Sequence, residues 1–254
     1  MTINSISKPW LSLNPQLRLF GLHLFPGLLG LGILLMIAPL AGRLGFPPFQ
    51  GGFGVVGLLA ITGFQLGHLF YQGWKRNSTL SLRGVILYRE SMPWWQFLAF
   101  AAVIFAWLAF VWFVMRPPVN QFFIDHFFGW MPGYFFDEYL LDNLYRYTFS
   151  SLVAVGILLT VAISVGGAVE ELYFRGYLLP RLDSLGKWAP VVNVLLFSLY
   201  HFWSPWENVA RVLALLPFVT IVWWKRNVYL AVLVHFTINL FTGINLLAMF
   251  LRAA

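Results

Sequence analysis

Runs of apolar residues, most of them near the ~20 residues that cross a bilayer as a helix, recur from one end of this 254-residue chain to the other. A single run of this kind could be a buried core helix. A series of them requires lipid as the main solvent, and the charged content of 10% agrees, since a soluble domain carries about one quarter. The runs predict helices over Leu19 to Ala41, Phe53 to Tyr71, Trp94 to Met115, Phe149 to Val169 with an extension past Arg175, Trp188 to Phe202, Val209 to Trp224, and Val228 to Phe250. The fold class is therefore an all-α polytopic transmembrane helix bundle of about seven spans, with the fifth and sixth short.

The first run follows Lys8 and Arg18 and has the look of a secretory signal. It is too long for one, and no small-x-small cleavage site follows it, so it reads as a signal anchor, irregular at Pro26 and Pro39. The chain has no cysteine, which excludes disulfides, thiolate ligands, a cysteine nucleophile and S-acylation.

A formal net charge of +7 would suggest nucleic acid in a soluble domain, but here the basic residues gather in short loops. Such clusters set membrane topology instead. Between the second and third spans stand Lys75, Arg76, Arg83 and Arg89 against Glu90, so this loop should be cytoplasmic. Threading from it puts the N-terminus, Arg181 with Lys187, and Lys225 with Arg226 on the same side. The segment from Arg116 to Thr148, with Asp125, Asp137, Glu138, Asp142 and many aromatic residues, then falls outside as an interfacial cap. A compact chain without an organelle-targeting stretch suggests a bacterial inner membrane.

No fixed-period repeat or low-complexity tract is present. The expected division is residues 1–146, three spans and the acidic, aromatic segment, followed by a four-helix catalytic unit over 147–254.

Charged residues within membrane helices are costly and so mark functional candidates. The fourth run ends A-V-E-E-L-Y-F-R, where Glu171 and Arg175 stand four apart and can pair, while Glu170 points about 100° around the axis. The fifth contains F-S-L-Y-H, with Phe197 and His201 on one face, and the seventh H-F-T-I-N, with His235 and Asn239 on one face. One carboxylate, two imidazoles and a carboxamide form an acid/base set with donors for a developing oxyanion. The bland readings are a structural ion pair for Glu171 with Arg175, and interhelical glue for Asn239. His23, His68 and His126 read as structural, and the Trp and Phe content as interfacial belt and lipid-facing packing.

These motifs resemble those of the CPBP family of intramembrane peptidases, which process CAAX proteins and bacteriocins. The family pattern of E-E-x-x-x-R, F-x-x-x-H and H-x-x-x-N or D, in that order, occurs intact as Glu170 and Glu171 with Arg175, Phe197 with His201, and His235 with Asn239. The resemblance covers about residues 147 to 250, and the first three spans match no pattern of the family. It implies that Glu170 and His201 activate water, that His235 and Asn239 stabilise the tetrahedral oxyanion, and that Arg175 positions the glutamate pair. It also implies a membrane-associated protein or peptide as substrate. A zinc-dependent version would make the same glutamate and histidines metal ligands. The carboxamide favours the version without a cofactor, because Asn is a poor zinc ligand and a good oxyanion donor. H-E-x-x-H, G-x-S-G and G-x-G-D are absent, which speaks against zinc-peptidase, rhomboid and presenilin types. The alternative is a non-hydrolytic immunity or scaffold protein that keeps the fold. A transporter would show paired half-repeats, and none is present.

One spacing calls for a structural answer. His201 lies 14 residues past Lys187 and His235 lies 9 past Arg226, or roughly 21 and 14 Å along a helix. The fifth helix must start late, dip or tilt for the two imidazoles to meet.

Overall fold

In the computed structural model, residues 15–252 are described, so the expectation resting on Lys8 lies outside the described residues. The predicted runs are helical except at His201 and Phe202, the last two residues of the fifth. Helix α1 is Pro15–Arg43, α2 Pro48–Asn77 and α3 Trp94–Phe128. Helix α4, Phe149–Glu170, winds on through a wider π-helical segment Glu171–Leu178 and a tight Leu179–Trp188 stretch into α5, Ala189–Tyr200. Helix α6 is Asn208–Lys225 and α7 is Val228–Arg252.

Among the described residues six helical runs have the length and hydropathy to cross a membrane, against the expected number of about seven. The difference lies in α5. Its 12 residues rise roughly 18 Å, short of the ~30 Å of bilayer hydrocarbon. It forms a partial span packed against α6, joined to α4 through a break at Gly186, whose φ of 55° is left-handed. His201 is thus not on the helix, as the motif spacing implied, but one residue past its end, at φ −81° and ψ 59°. The short helix answers the depth problem, since it stops inside the bundle and leaves His201 there.

The third span also differs from expectation. The apolar run ends at Met115, and Arg116 is the expected start of an outer segment. Instead the helix continues to Phe128, and a π-helical turn at Val111–Met115 precedes Pro117 and Pro118. Such a turn is where a helix absorbs prolines that cannot donate to the ladder. Short helical turns Gly133–Phe135, Asp137–Asp142 and Leu144–Arg146 then lead into α4, whose start is capped by Thr148 accepting from the Ser151 amide at 3.2 Å.

The basic loops meet at one end of the bundle. Arg226 lies 3.9 Å from Glu90 and 3.8 Å from Asp183, and the Tyr88 hydroxyl donates to Asp183 at 2.5 Å. Arg89 donates to the Tyr229 hydroxyl at 2.8 Å, and the Val228 amide donates to the Tyr88 carbonyl.

Two contacts prepare the site. Helices α4 and α7 form the most extensive helix pair, pressed together at Gly167, where a Cβ would fall 2.6 Å from Asn239 Nδ2 and 3.1 Å from the His235 ring. Only a glycine admits both side chains there. The N-terminal helices share the same apolar core: Tyr173 donates to the Leu22 carbonyl at 2.8 Å, and Asn193 contacts His23 at 3.2 Å.

Candidate active site

Glu170 and Glu171 end one helix and begin its wider π-helical continuation, so the two carboxylates diverge. Glu171 and Arg175, both fully buried, pair at 3.2 Å as their spacing predicted. The Arg175 guanidinium also sits 4.0 Å from the centre of the Phe197 ring. An aromatic face is a favourable seat for a desolvated cation, and it physically links the first motif to the second.

Glu171 has a second partner that spacing did not indicate. Its Oε1 lies 2.7 Å from His235 Nδ1, while His235 Nε2 faces Glu170 Oε2 at 3.9 Å. The first distance is a hydrogen bond and the second is too long for one. His235 therefore stands between the carboxylates and leans on the one assigned to support.

Glu170 is held from another side. Tyr200 donates to its Oε1 at 2.8 Å, and Gln65 on α2 donates to the Tyr200 oxygen at 3.3 Å. This chain ties the carboxylate to the N-terminal spans. The Tyr200 hydroxyl was missed in the sequence, although a phenol one residue before a motif histidine, in an apolar helix, is the available signal.

His201 is wedged against the Phe197 and Tyr200 rings, at 4.8 and 4.7 Å between centroids. Its Nδ1 lies 2.8 Å from the Phe197 carbonyl. A carbonyl only accepts, so Nδ1 carries the proton and Nε2 keeps its lone pair. Asn239 Nδ2 donates to the Ile163 carbonyl at 2.8 Å, which uses one of its two N–H groups.

Glu170, Phe197, His201, His235 and Asn239 line one cavity of about 1070 Å³. Much of its remaining wall is aromatic and aliphatic, with Phe105, Trp112, Phe113 and Phe241 among it. His23, His68 and His126 do not line it. His23 is instead buried, with Nδ1 at 2.8 Å from the Leu19 carbonyl.

The cavity wall also holds a polar group that the sequence did not single out. Glu207 accepts from Arg116 Nε at 3.0 Å and from Arg211 at 2.7 Å, and Arg211 also donates to Ser204 and Asn208. These bonds brace the non-helical segment that follows His201. The signal was the i,i+4 pair Glu207 and Arg211 at the start of an apolar run.

The Nδ1 contacts of His201 and His235 are of the kind that zinc-bound imidazoles make. Among the described residues, however, no three His, Asp or Glu side chains come together as metal donors.

Residues 152–241 match the model of a protein family, type II CAAX prenyl endopeptidase Rce1-like. The matched stretch contains all three motifs. No curated protein and no solved structure matches the chain.

Proposed function

We propose that this chain, whose C-terminal unit carries the match to the Rce1-like CAAX endopeptidases and supports membership of the CPBP family, is an intramembrane endopeptidase acting on a membrane-associated protein. The observation that supports the reading is the meeting of Glu170, His201, His235 and Asn239 on one cavity, although they come from three separate helical segments. Its apolar wall suits a substrate that arrives with lipid-soluble groups.

In this reading Glu170 and the free Nε2 of His201 activate a water molecule. Its proton passes to that base pair while the oxygen attacks the scissile carbonyl carbon. Charge develops on the carbonyl oxygen, where Asn239 has one N–H left to offer. His235 can donate from Nε2 while Nδ1 donates to Glu171 only as the imidazolium. On collapse the C–N bond breaks, and the proton held by the base pair moves to the leaving nitrogen. Tyr200 holds Glu170 in place through Oε1, and Arg175 anchors Glu171. The side of the membrane follows from the basic loops: their shared end is cytoplasmic in this proposal. A reporter fused after Lys75 should read cytoplasm and one near Glu138 the opposite side.

The deciding experiment is cleavage of a panel of lipidated and transmembrane peptides by purified protein and by Glu170→Gln. This variant keeps the shape and hydrogen bonding but removes the base, so hydrolysis should fall to background with the melting temperature held. Undiminished cleavage would remove Glu170 from the mechanism. No cleavage by the wild type across the panel would favour the scaffold alternative.

A further inference from the structure

A second cavity, of about 270 Å³, opens at the end of the bundle where the basic loops meet, and it is lined by Gln72, Lys75, Arg76, Gly84, Val85 and Arg181. Three cations converge there and no carboxylate lines it. The neighbouring acids are turned elsewhere, Asp183 to Tyr88 and Arg226 and Glu90 to Arg226. Converging like charges repel unless an anion lies among them.

The Arg181 guanidinium is held by the fold. Arg181 donates to the Tyr177 carbonyl and lies 3.6 Å from the centre of the Tyr177 ring. The Arg76 guanidinium packs against Gly84, where φ is +72° and an added Cβ would come 2.6 Å from Nε and 3.0 Å from Cζ. Two planar forks lining one cavity suit the oxygens of a phosphate, and the Lys75 ammonium adds a third donor. On the same turn of α2, Tyr71 and Trp74 are 55% and 60% exposed, as side chains at the level of lipid headgroups are.

We propose that this cavity binds the phosphate of an anionic membrane lipid, gripped between Arg76 and Arg181. The chemistry recognised is a phosphate oxyanion. The membrane is the favoured source because the cavity opens beside exposed interfacial aromatic residues. Basic pockets between transmembrane helices take anionic headgroups in the same manner. The proposal is independent of any hydrolysis at Glu170.

The test uses full-length protein in neutral detergent, titrated with phosphatidylglycerol, with phosphatidylcholine or with inorganic phosphate. Thermal midpoint and lipid retention in native mass spectrometry are the readouts. Phosphatidylglycerol should raise the midpoint saturably and remain bound, with phosphatidylcholine and inorganic phosphate at least tenfold weaker. Arg76→Gln with Arg181→Gln should weaken phosphatidylglycerol tenfold or more. Lys75→Gln, an exposed change that spares packing, should weaken it about threefold, and this single variant carries the test if the double variant does not fold. Lys187→Gln, which changes a basic residue of the Leu179–Trp188 stretch that does not line the cavity, should leave binding unchanged. Equal loss in Lys187→Gln would reduce the effect to diffuse surface charge and overturn the site, as would unaltered binding in the Arg76 and Arg181 variant. Inorganic phosphate binding as tightly as the lipid would overturn the membrane source.

Discussion

His235 Nδ1 lies 2.7 Å from Glu171 Oε1, while its Nε2 stands 3.9 Å from Glu170 Oε2. The imidazole is oriented by the glutamate that also anchors Arg175, and it presents its other nitrogen to the glutamate proposed as base. Glu171 is therefore a positioning residue for His235 as well as half of a buried ion pair, and the two duties can be separated.

Glu171→Gln should keep a hydrogen bond to His235 but leave Arg175 without its counter-charge in a fully buried setting. Removing one partner of a buried pair costs about 3–5 kcal/mol. We expect a lower melting temperature in detergent together with reduced turnover. Glu170→Gln should reduce turnover alone. Equal melting temperatures for the two variants would show that the Glu171–Arg175 pair is not structurally important.

The contact at Gly167 makes a sharper test of the oxyanion pair. Gly167→Ala places a Cβ 2.6 Å from Asn239 Nδ2, so the carboxamide must move or the helices must part. Overpacking of this kind costs about 1–3 kcal/mol. Loss of an oxyanion donor typically costs about 10²- to 10³-fold in turnover, and Asn239→Ala should show that loss. Gly167→Ala should approach it, and the double variant should be little worse than Asn239→Ala. Additive losses in a double-mutant cycle would separate Gly167 from Asn239.

Tyr88, 2% exposed in the loop between α2 and α3, is latched to Asp183. Burial, and then that carboxylate, raise the phenol's pKa above its ordinary value of 10.0. The folded state thus favours the protonated phenol. Its contribution to stability is complete below about pH 10 and declines as the pH rises through the folded-state value. Tyr88→Phe should cost about 1.5–3 kcal/mol at neutral pH, as expected for a hydrogen bond to a charged group. The gap from wild type should narrow above pH 10. A gap constant to higher pH in thermal melts would refute the latch.

The donor chemistry of Asn239 also bears on metal dependence. We expect cleavage to survive exhaustive chelation and the purified protein to hold no stoichiometric metal. Loss of activity on chelation, with recovery on adding zinc but not magnesium, would replace the proposed mechanism with the zinc-dependent one.

Hydropathy alone identified the helical runs, because a bilayer demands apolar length and that demand is written locally in the chain. The i,i+4 rule located the Glu171–Arg175 pair for the same reason, since both residues lie on one helix. The motif residues at 170, 201, 235 and 239 were likewise legible, and they do line one cavity. The tertiary structure alone decided which carboxylate His235 binds, that Tyr200 and Gln65 hold Glu170, and that Glu207 joins Arg116 to Arg211. It also decided that α5 stops halfway, leaving His201 beyond its end. Each of these depends on which helices become neighbours and how each is rotated about its axis. Those variables are set by close packing between distant segments, such as α7 on Gly167 of α4, and an apolar run of one helix carries no record of the side chains that will face it.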